Sequence, residues 1–381
     1  MDGVDRGASP ERTTIVIDRR LMTSCLPILI ALSAALFSRA GLADVPIGTI
    51  TLSGDTLYED GQPWIPAGFT YLKMNGPGEA RLATEISWLA LFDAQIEAFG
   101  ADTVRMQVYQ GSLDPEGAER DDAYLARLVE AVDGARSRGL AVILSMKGRQ
   151  GTGTPLTVPT KVTDRAWQVL TEHFNSDLGI MYQLYNEPIG KGSGLADGWE
   201  GWRNALQHLV DVVRSTGSQN VLIASGKNAG HSLAGAPELE DPEEAVAYSV
   251  HPYPVEYRRG NRRGGYASLT RADWDRNFGE FCRGERVCLI TEWMTGSGTK
   301  CLLPNQVEGG TPALAKDFLD YLHDNEIAMA GAWAFDHLNP QFTLDYKMFQ
   351  PNSFEADFRC ARGAGARGGP GELLKKLWDL Q

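Results

Sequence analysis

Residues 122–147 read DAYLARLVEAVDGARSRGLAVILSMK, and the hydrophobic period changes once within them. Up to Arg138 the apolar side chains Leu125, Leu128, Val129, Val132 and Ala135 recur at helical spacing, behind Asp121 as the N-cap candidate. After Gly139 comes an apolar β-type run, Leu140 to Met146, interrupted only by Ser145 and closed by Lys147. A run this apolar suits a strand covered on both faces, as parallel strands are when helices flank them. The stretch therefore predicts a helix that delivers the chain into a buried parallel strand.

The same alternation extends in both directions. Strand-type runs are expected at Ile65 to Thr70, Thr103 to Val108, Leu140 to Met146, Ile180 to Tyr185, Val221 to Ala224, Ala245 to Val250, Val287 to Thr291 and Gly331 to Phe335. Trp199 to Ser215 repeats the helical pattern through Trp202, Leu206, Leu209, Val210 and Val213, and a last helix is expected at Glu372 to Leu380 after the Gly- and Arg-rich stretch Cys360 to Gly371. From Arg105 to Lys147 is 42 residues, and the next strand ends, at Glu187, Ser225, His251, Glu292 and Trp333, follow at intervals of 40, 38, 26, 41 and 41. Each interval accommodates one strand and one crossover helix. Eight such units over about 310 residues specify the α/β class and a (β/α)8 TIM barrel in a single domain. An N-terminal β-hairpin, turning at Glu59-Asp60-Gly61, should precede it. An open doubly wound sheet is the alternative, but no Gly-rich phosphate fingerprint follows the first strand.

Composition narrows the function. With 43% hydrophobic and 22% charged residues, the chain of 381 can bury a large core, which excludes disorder for most of it. A formal charge of -13 argues against a nucleic-acid partner, because phosphate neutralisation needs clustered Lys and Arg.

Residues 1–43 read as an export signal: a polar leader ending in Arg19 and Arg20, an apolar run from Leu26 to Phe37, and Ala40-Gly41-Leu42-Ala43 as cleavage territory. About a dozen apolar residues are too few to cross a hydrocarbon core of roughly 30 Å, so no membrane association is expected once the signal is removed. The mature domain, residues 44–381, would carry 31 basic and 45 acidic side chains, still strongly acidic. It is expected in the periplasm or outside the cell, as a monomer.

Cys25 leaves with the signal, and Cys282, Cys288, Cys301 and Cys360 remain as an even set. Three pairings are possible, and a four-cysteine zinc site is the rival reading, although the spacing lacks paired C-x2-C knuckles. Topology favours Cys282–Cys288, which flank the approach to the seventh strand, and Cys301–Cys360, which lie in loops leaving the seventh and eighth strands.

In a barrel of this kind the site lies at the C-terminal ends of the strands. Arg105, Asn186 with Glu187, His251 with Tyr253, Glu292 and Trp333 close their apolar runs. Either glutamate alone could merely cap the following helix. Together, on the fourth and seventh strands, they can face each other across the barrel mouth, and glycoside hydrolysis needs such a pair: an acid for the leaving oxygen and a nucleophile or base at the anomeric carbon. Trp293 and Trp333 offer flat apolar faces on which a sugar ring could lie, with core packing as the alternative for each.

The ordered set Thr-Val-Arg at 103–105, Tyr-Gln-Leu-Tyr-Asn-Glu-Pro at 182–188, His-Pro-Tyr at 251–253 and Ile-Thr-Glu-Trp at 290–293 resembles glycoside hydrolase family 5, the cellulase family of the Asn-Glu-Pro clan, over roughly Ile47 to Leu380. The resemblance implies a retaining double displacement with Glu187 as general acid/base and Glu292 as nucleophile. It also implies that Asn186 holds the sugar 2-hydroxyl, that Arg105 and Tyr253 set the charge and orientation of Glu292, that His251 supports Glu187, and that Trp333 is the floor beneath the reacting sugar. A β-linked glycan is the expected partner and no cofactor or metal is expected. The substrate expectation is a β-1,4-glucan cut internally. Mannan, β-1,3- or β-1,6-glucan, glycosylceramide and transglycosylation stay open, as does a saccharide-binding barrel without turnover.

One departure stands out. The family usually ends its third strand with His, and here the run Val142-Ile143-Leu144-Ser145-Met146-Lys147 places Lys147 there. Lys147 could bond a sugar hydroxyl, pair with a catalytic carboxylate, or sit solvated in a loop. Arg258, Arg259, Arg262 and Arg263 follow the sixth strand and could meet an acidic decoration or simply be solvated. His173, His208 and His323 fall on helical patterns and read as surface or packing residues, whereas His231 and His337 occupy expected top-face loops.

Overall fold

The computed structural model describes residues 48–74, 85–148, 158–188, 198–254, 268–295, 307–338, 341–354 and 368–381. The expected signal (1–43), the Cys301–Cys360 pairing and the arginines 258–263 lie outside the described residues.

The chain opens with a three-stranded antiparallel sheet, β1 (Ile50–Ser53), β2 (Thr56–Glu59) and β3 (Gln62–Trp64), the expected hairpin with one further strand. Asp60 and Gly61 both take positive φ at the β2–β3 turn, as a tight hairpin requires. Strands β4 (Gly68–Tyr71), β5 (Thr103–Tyr109), β6 (Ala141–Lys147), β7 (Ile180–Gln183), β8 (Leu222–Ser225), β9 (Val246–Val250), β10 (Cys288–Ile290) and β11 (Ala328–Met329) form one eight-stranded sheet. Every neighbouring pair in it is parallel. Closure comes from Ala332, which bridges to Phe69 on one side and Trp293 on the other. Ala332 N–H donates to Gly68 O (2.8 Å) and Thr70 N–H to Ala332 O (2.9 Å), so first and last strands meet and the sheet is a (β/α)8 barrel.

The eighth strand departs from the expected Gly331 to Phe335: ladder pairing covers Ala328–Met329 and then continues as the isolated bridges of Ala332. Gly331 explains why the chain passes so close there, since a Cβ on it would fall 2.1 Å from Thr291 O and 3.0 Å from Arg105 Cδ.

Among the crossover helices, α1 (Trp88–Phe99) is capped by Ser87 Oγ and stopped by Gly100 in the left-handed region. A short α2 (Gln110–Leu113) follows β5, and α3 (Asp122–Arg136) covers the expected helix. Asp121 is its N-cap by position only: its carboxylate makes no cap bond and lies 3.2 Å from Arg127. Next come α4 (Lys161–Phe174), with a Thr160/Thr163 capping box, and α5 (Trp199–Arg214). After β9, α6 (Arg271–Trp274) runs through a π turn, Asp275–Gly279, into α7 (Glu280–Cys282); α8 (Gly310–Asp324) and α9 (Gly371–Leu380) complete the set. The Cys282–Cys288 bond spans the α7–β10 connection with Cα atoms 5.6 Å apart, as expected. Among the described residues no helix is long and apolar enough to cross a membrane.

Strand parity sorts the core. Val104, Met106 and Val108 of β5 and Val142, Leu144 and Met146 of β6 pack in the larger apolar cluster with Leu128, Val132, Trp167 and Leu170 of the helices. The opposite parity faces the barrel axis, where Ile143, Met181, Ile223, Ala247, Leu289 and Ala330 form a second apolar cluster with Ile50 and Leu57 of the small sheet. Above that floor the inward side chains become polar and buried: Thr70, Arg105, Ser145, Gln183, Ser225, Ser249 and Thr291. A polar layer in a barrel interior must satisfy itself, and Gln183 shows how it does: Nε2 reaches Ser225 Oγ (2.8 Å), Ser249 Oγ (3.1 Å) and Thr291 Oγ1 (3.1 Å), while Oε1 accepts from Arg105 Nε (2.7 Å).

Candidate active site

Arg105 rises from the middle of β5 inside the barrel and is wholly buried. Its guanidinium has five donors fixed in a plane, and the strands around it supply the acceptors. Nη1 donates to Glu292 Oε1 (3.0 Å) and Thr70 Oγ1 (3.2 Å), and Nη2 donates to Ser145 Oγ (2.8 Å) and Asn186 Oδ1 (2.6 Å). The polar layer thus orients a cation toward the carboxylate that ends the seventh strand.

Glu292 follows β10, where Thr291 and Glu292 continue the strand direction to the barrel mouth. Its Oε1 also accepts from Gln107 Nε2 (2.6 Å), and its Oε2 accepts from Tyr253 Oη (2.9 Å). Burial pushes this carboxyl upward, but His251, Arg105 and Lys147, with the Tyr253 hydrogen bond, outweigh it and hold Glu292 below the usual carboxylate range. Glu292 is therefore kept as an anion in a nearly dry place. Tyr253, buried beside two carboxylates, is held well above the usual phenol range and stays a donor.

Glu187 follows β7, with Asn186 before it and Pro188 after it. Its side chain keeps 27% of its surface exposed against 4% for Glu292, so the two carboxyls differ in solvent access. His251 stands between them, with Nδ1 3.0 Å from Glu187 Oε1 and 3.7 Å from Glu292 Oε2; Nε2 lies 2.9 Å from Thr291 Oγ1. One oxygen of each glutamate and one His251 nitrogen all fall within 4.8 Å of one another. Among the described residues this trio is also the one set close enough to grip a cation. Arg105 and Lys147 acting on the same carboxylate work against a divalent ion there.

Arg105, Asn186, Glu187, His251, Tyr253 and Glu292, expected from strand ends, are thus brought together. Trp333 is partly exposed, one residue beyond the closing bridge, and its backbone N–H donates to Trp293 O (2.9 Å). Trp293 itself is corrected: it is 1% exposed and stacked on Phe318 of α8 at 4.8 Å, so its ring packs between barrel and helix and offers no face to a sugar. Its parity places it outward, opposite to Glu292. Lys147 is not a solvated loop residue; it points inward from β6, is 5% exposed, and donates to Gln107 Oε1 (2.8 Å). His231 is buried beside Tyr253, with ring centroids 6.5 Å apart, and His208 pairs with Asp164 on the helical surface.

Gln107 was not expected. The signal was present in the period of two: Arg105 faces the axis, so Gln107 must as well, and a polar inward residue near the strand end belongs to the site.

The model of the cellulase family, glycosyl hydrolase family 5, matches residues 79–338. A cellulase from a Thermoanaerobacterium species is 23% identical over 258 residues, which are 65% of this chain and 61% of that protein, so the chain spans less than two thirds of that relative. Among solved structures, a β-glucanase of Saccharophagus degradans in complex with cellotetraose superposes with a TM-score of 0.60 at 20% identity, over 80% of this chain and 89% of that one. The catalytic domain of a Thermobifida fusca endoglucanase gives 0.56 at 16% identity, over 87% and 98%. These structural likenesses are of fold.

Proposed function

The chain belongs to the cellulase family, glycosyl hydrolase family 5, and from that premise we propose that it is a glycoside hydrolase that cuts β-1,4-linked glucan chains internally with retention of anomeric configuration. The observation that carries the reading is the unequal pair Glu187 and Glu292, with one oxygen of each inside a 4.8 Å trio. Carboxyls about 5–5.5 Å apart suit double displacement, whereas inversion needs about 6.5–9.5 Å for an intervening water.

In this reading Glu187 gives its proton to the glycosidic oxygen while Glu292 attacks the anomeric carbon. The leaving group departs and a glycosyl ester forms. Glu187 then takes a proton from water, which attacks the same carbon and frees Glu292. His251, 3.0 Å from Glu187, orients the acid. Asn186 has its Oδ1 engaged by Arg105 and Gln107, so its Nδ2 is the end for the sugar 2-hydroxyl. Trp333 is the stacking floor. The relatives favour a glucan: one is a cellulase and one a β-glucanase holding cellotetraose.

Export belongs to the same proposal, supported by the leader at residues 1–43 and by a disulfide at Cys282–Cys288, a bond that persists in oxidising compartments.

The test is reducing-end release by residues 44–381 across β-glucans, mannans, xylans and aryl β-glycosides, with Glu292→Ala beside it. Release from β-1,4-glucan by the parent and none by the variant is expected. Silence from both, with a sugar-dependent thermal shift, would make the protein a saccharide-binding barrel.

A further inference from the structure

We propose that Gln107 and Lys147 are positioning residues that act as a pair on Glu292: Lys147 fixes and polarises the Gln107 amide, and that amide holds the carboxylate ionised and aimed. The inference rests on Glu292 being the nucleophile.

Both residues owe their place to strand parity. Gln107 lies two positions beyond Arg105 on β5 and Lys147 two beyond Ser145 on β6, so all four face the axis, and the register sets Gln107 against Ser145. Gln107 Nε2 then spans Glu292 Oε1 (2.6 Å) and Asn186 Oδ1 (3.1 Å), and Lys147 Nζ reaches Gln107 Oε1 (2.8 Å). A primary amide can sit either way round. Here a flip would set its oxygen against the carboxylate and the Asn186 carbonyl, and its NH2 against the ammonium. The cation therefore decides the orientation of the Gln107 donor.

Polarity adds to geometry. A charge on the amide oxygen draws density from the nitrogen and strengthens its hydrogen bonds in a site with little water to screen them. The groups facing Glu292 are Arg105 and Gln107 from β5, Lys147 from β6, Glu187 beyond β7, and His251 and Tyr253 beyond β9. Of these groups, Arg105 and Lys147 bring their cationic side chains from adjacent strands, and both act to hold the Glu292 charge. Where the family usually has a histidine, Lys147 places a flexible ammonium donor on the Gln107 oxygen.

The experiment compares the parent with Gln107→Leu, Lys147→Met, Lys147→Gln and Lys147→Arg. Lys147→Gln keeps a donor to Gln107 without the charge, and Lys147→Arg keeps the charge. One readout is the pH profile of kcat/KM on an aryl β-cellobioside; the other is a substrate-free 13C titration of the glutamate carboxyls, with Glu292→Gln assigning its resonance. For Gln107→Leu we expect a roughly 10- to 100-fold lower kcat, the worth of one hydrogen bond to a charged group, with little change in KM. The acid limb should move to higher pH in Gln107→Leu, Lys147→Met and Lys147→Gln, return in Lys147→Arg, and be matched by the Glu292 resonance. A Glu292 carboxyl that titrates as in the parent in all three would overturn the pairing. Should Glu292→Gln hydrolyse like the parent, the nucleophile assignment fails instead, and the titration still decides the electrostatic claim.

Discussion

Tyr253 Oη donates to Glu292 Oε2 at 2.9 Å, on the oxygen that Arg105 and Gln107 leave free. Each carboxylate oxygen thus has its own donors, and the anion is fixed in rotation as well as charge. Tyr253→Phe removes one donor to the charged form without opening space. The acid limb of kcat/KM should shift to higher pH, and activity should fall roughly 10- to 100-fold. A profile that overlays the parent would show that Tyr253 acts elsewhere.

Glu187→Ala separates the two chemical tasks. An activated aryl glycoside needs little protonation, so its glycosylation step should be almost unaffected, whereas cello-oligosaccharides should be cleaved orders of magnitude more slowly. Equal losses on both substrates in burst-phase kinetics would remove the acid/base assignment.

Trp293→Ala tests a packing role. The indole is buried on Phe318, so its loss should cost about 3–5 kcal/mol of stability. Urea unfolding reads that cost directly. Cello-oligosaccharide affinity of the folded fraction should stay as in the parent.

Asp336 gives a pH signature of stability. Its Oδ2 accepts from the backbone N–H of Leu72 (2.8 Å) and Lys73 (2.9 Å), yet burial outweighs these bonds and pushes the carboxyl up to about 6. Because the folded state holds this proton more tightly than an unfolded chain titrating near 3.9, the contribution is fully present below about pH 4. It is lost as pH rises through about 6, on the order of 3 kcal/mol. Parent and Asp336→Asn should therefore diverge in denaturant midpoint between about pH 4 and 6, with the parent losing ground as pH rises. Parallel curves across that window would show that the carboxyl is not buried as an acid.

The barrel and most of the site were legible because strand ends carry distinctive pairs such as Asn186-Glu187 and His251 with Tyr253. What escaped was parity. A largely apolar run such as Leu140 to Met146, broken only by Ser145, gives little sign of which residues face the axis, so Lys147 reads equally well as a loop residue. Trp293 failed for the same reason, since it adjoins Glu292 in sequence but points the other way. Gly331 and Ala332 show a third limit: a strand that closes a barrel by single bridges leaves little periodic pattern to read.

The bridge from Phe69 to Ala332 also bears on how the molecule is made. Until the segment around Ala332 has left the ribosome, β4 has a row of unpaired backbone groups on one side, a template for any other extended chain. Closure is a contact between distant parts of the sequence, and such contacts form slowly. A chain stalled or truncated before Ala332 keeps that edge open and is exposed to aggregation.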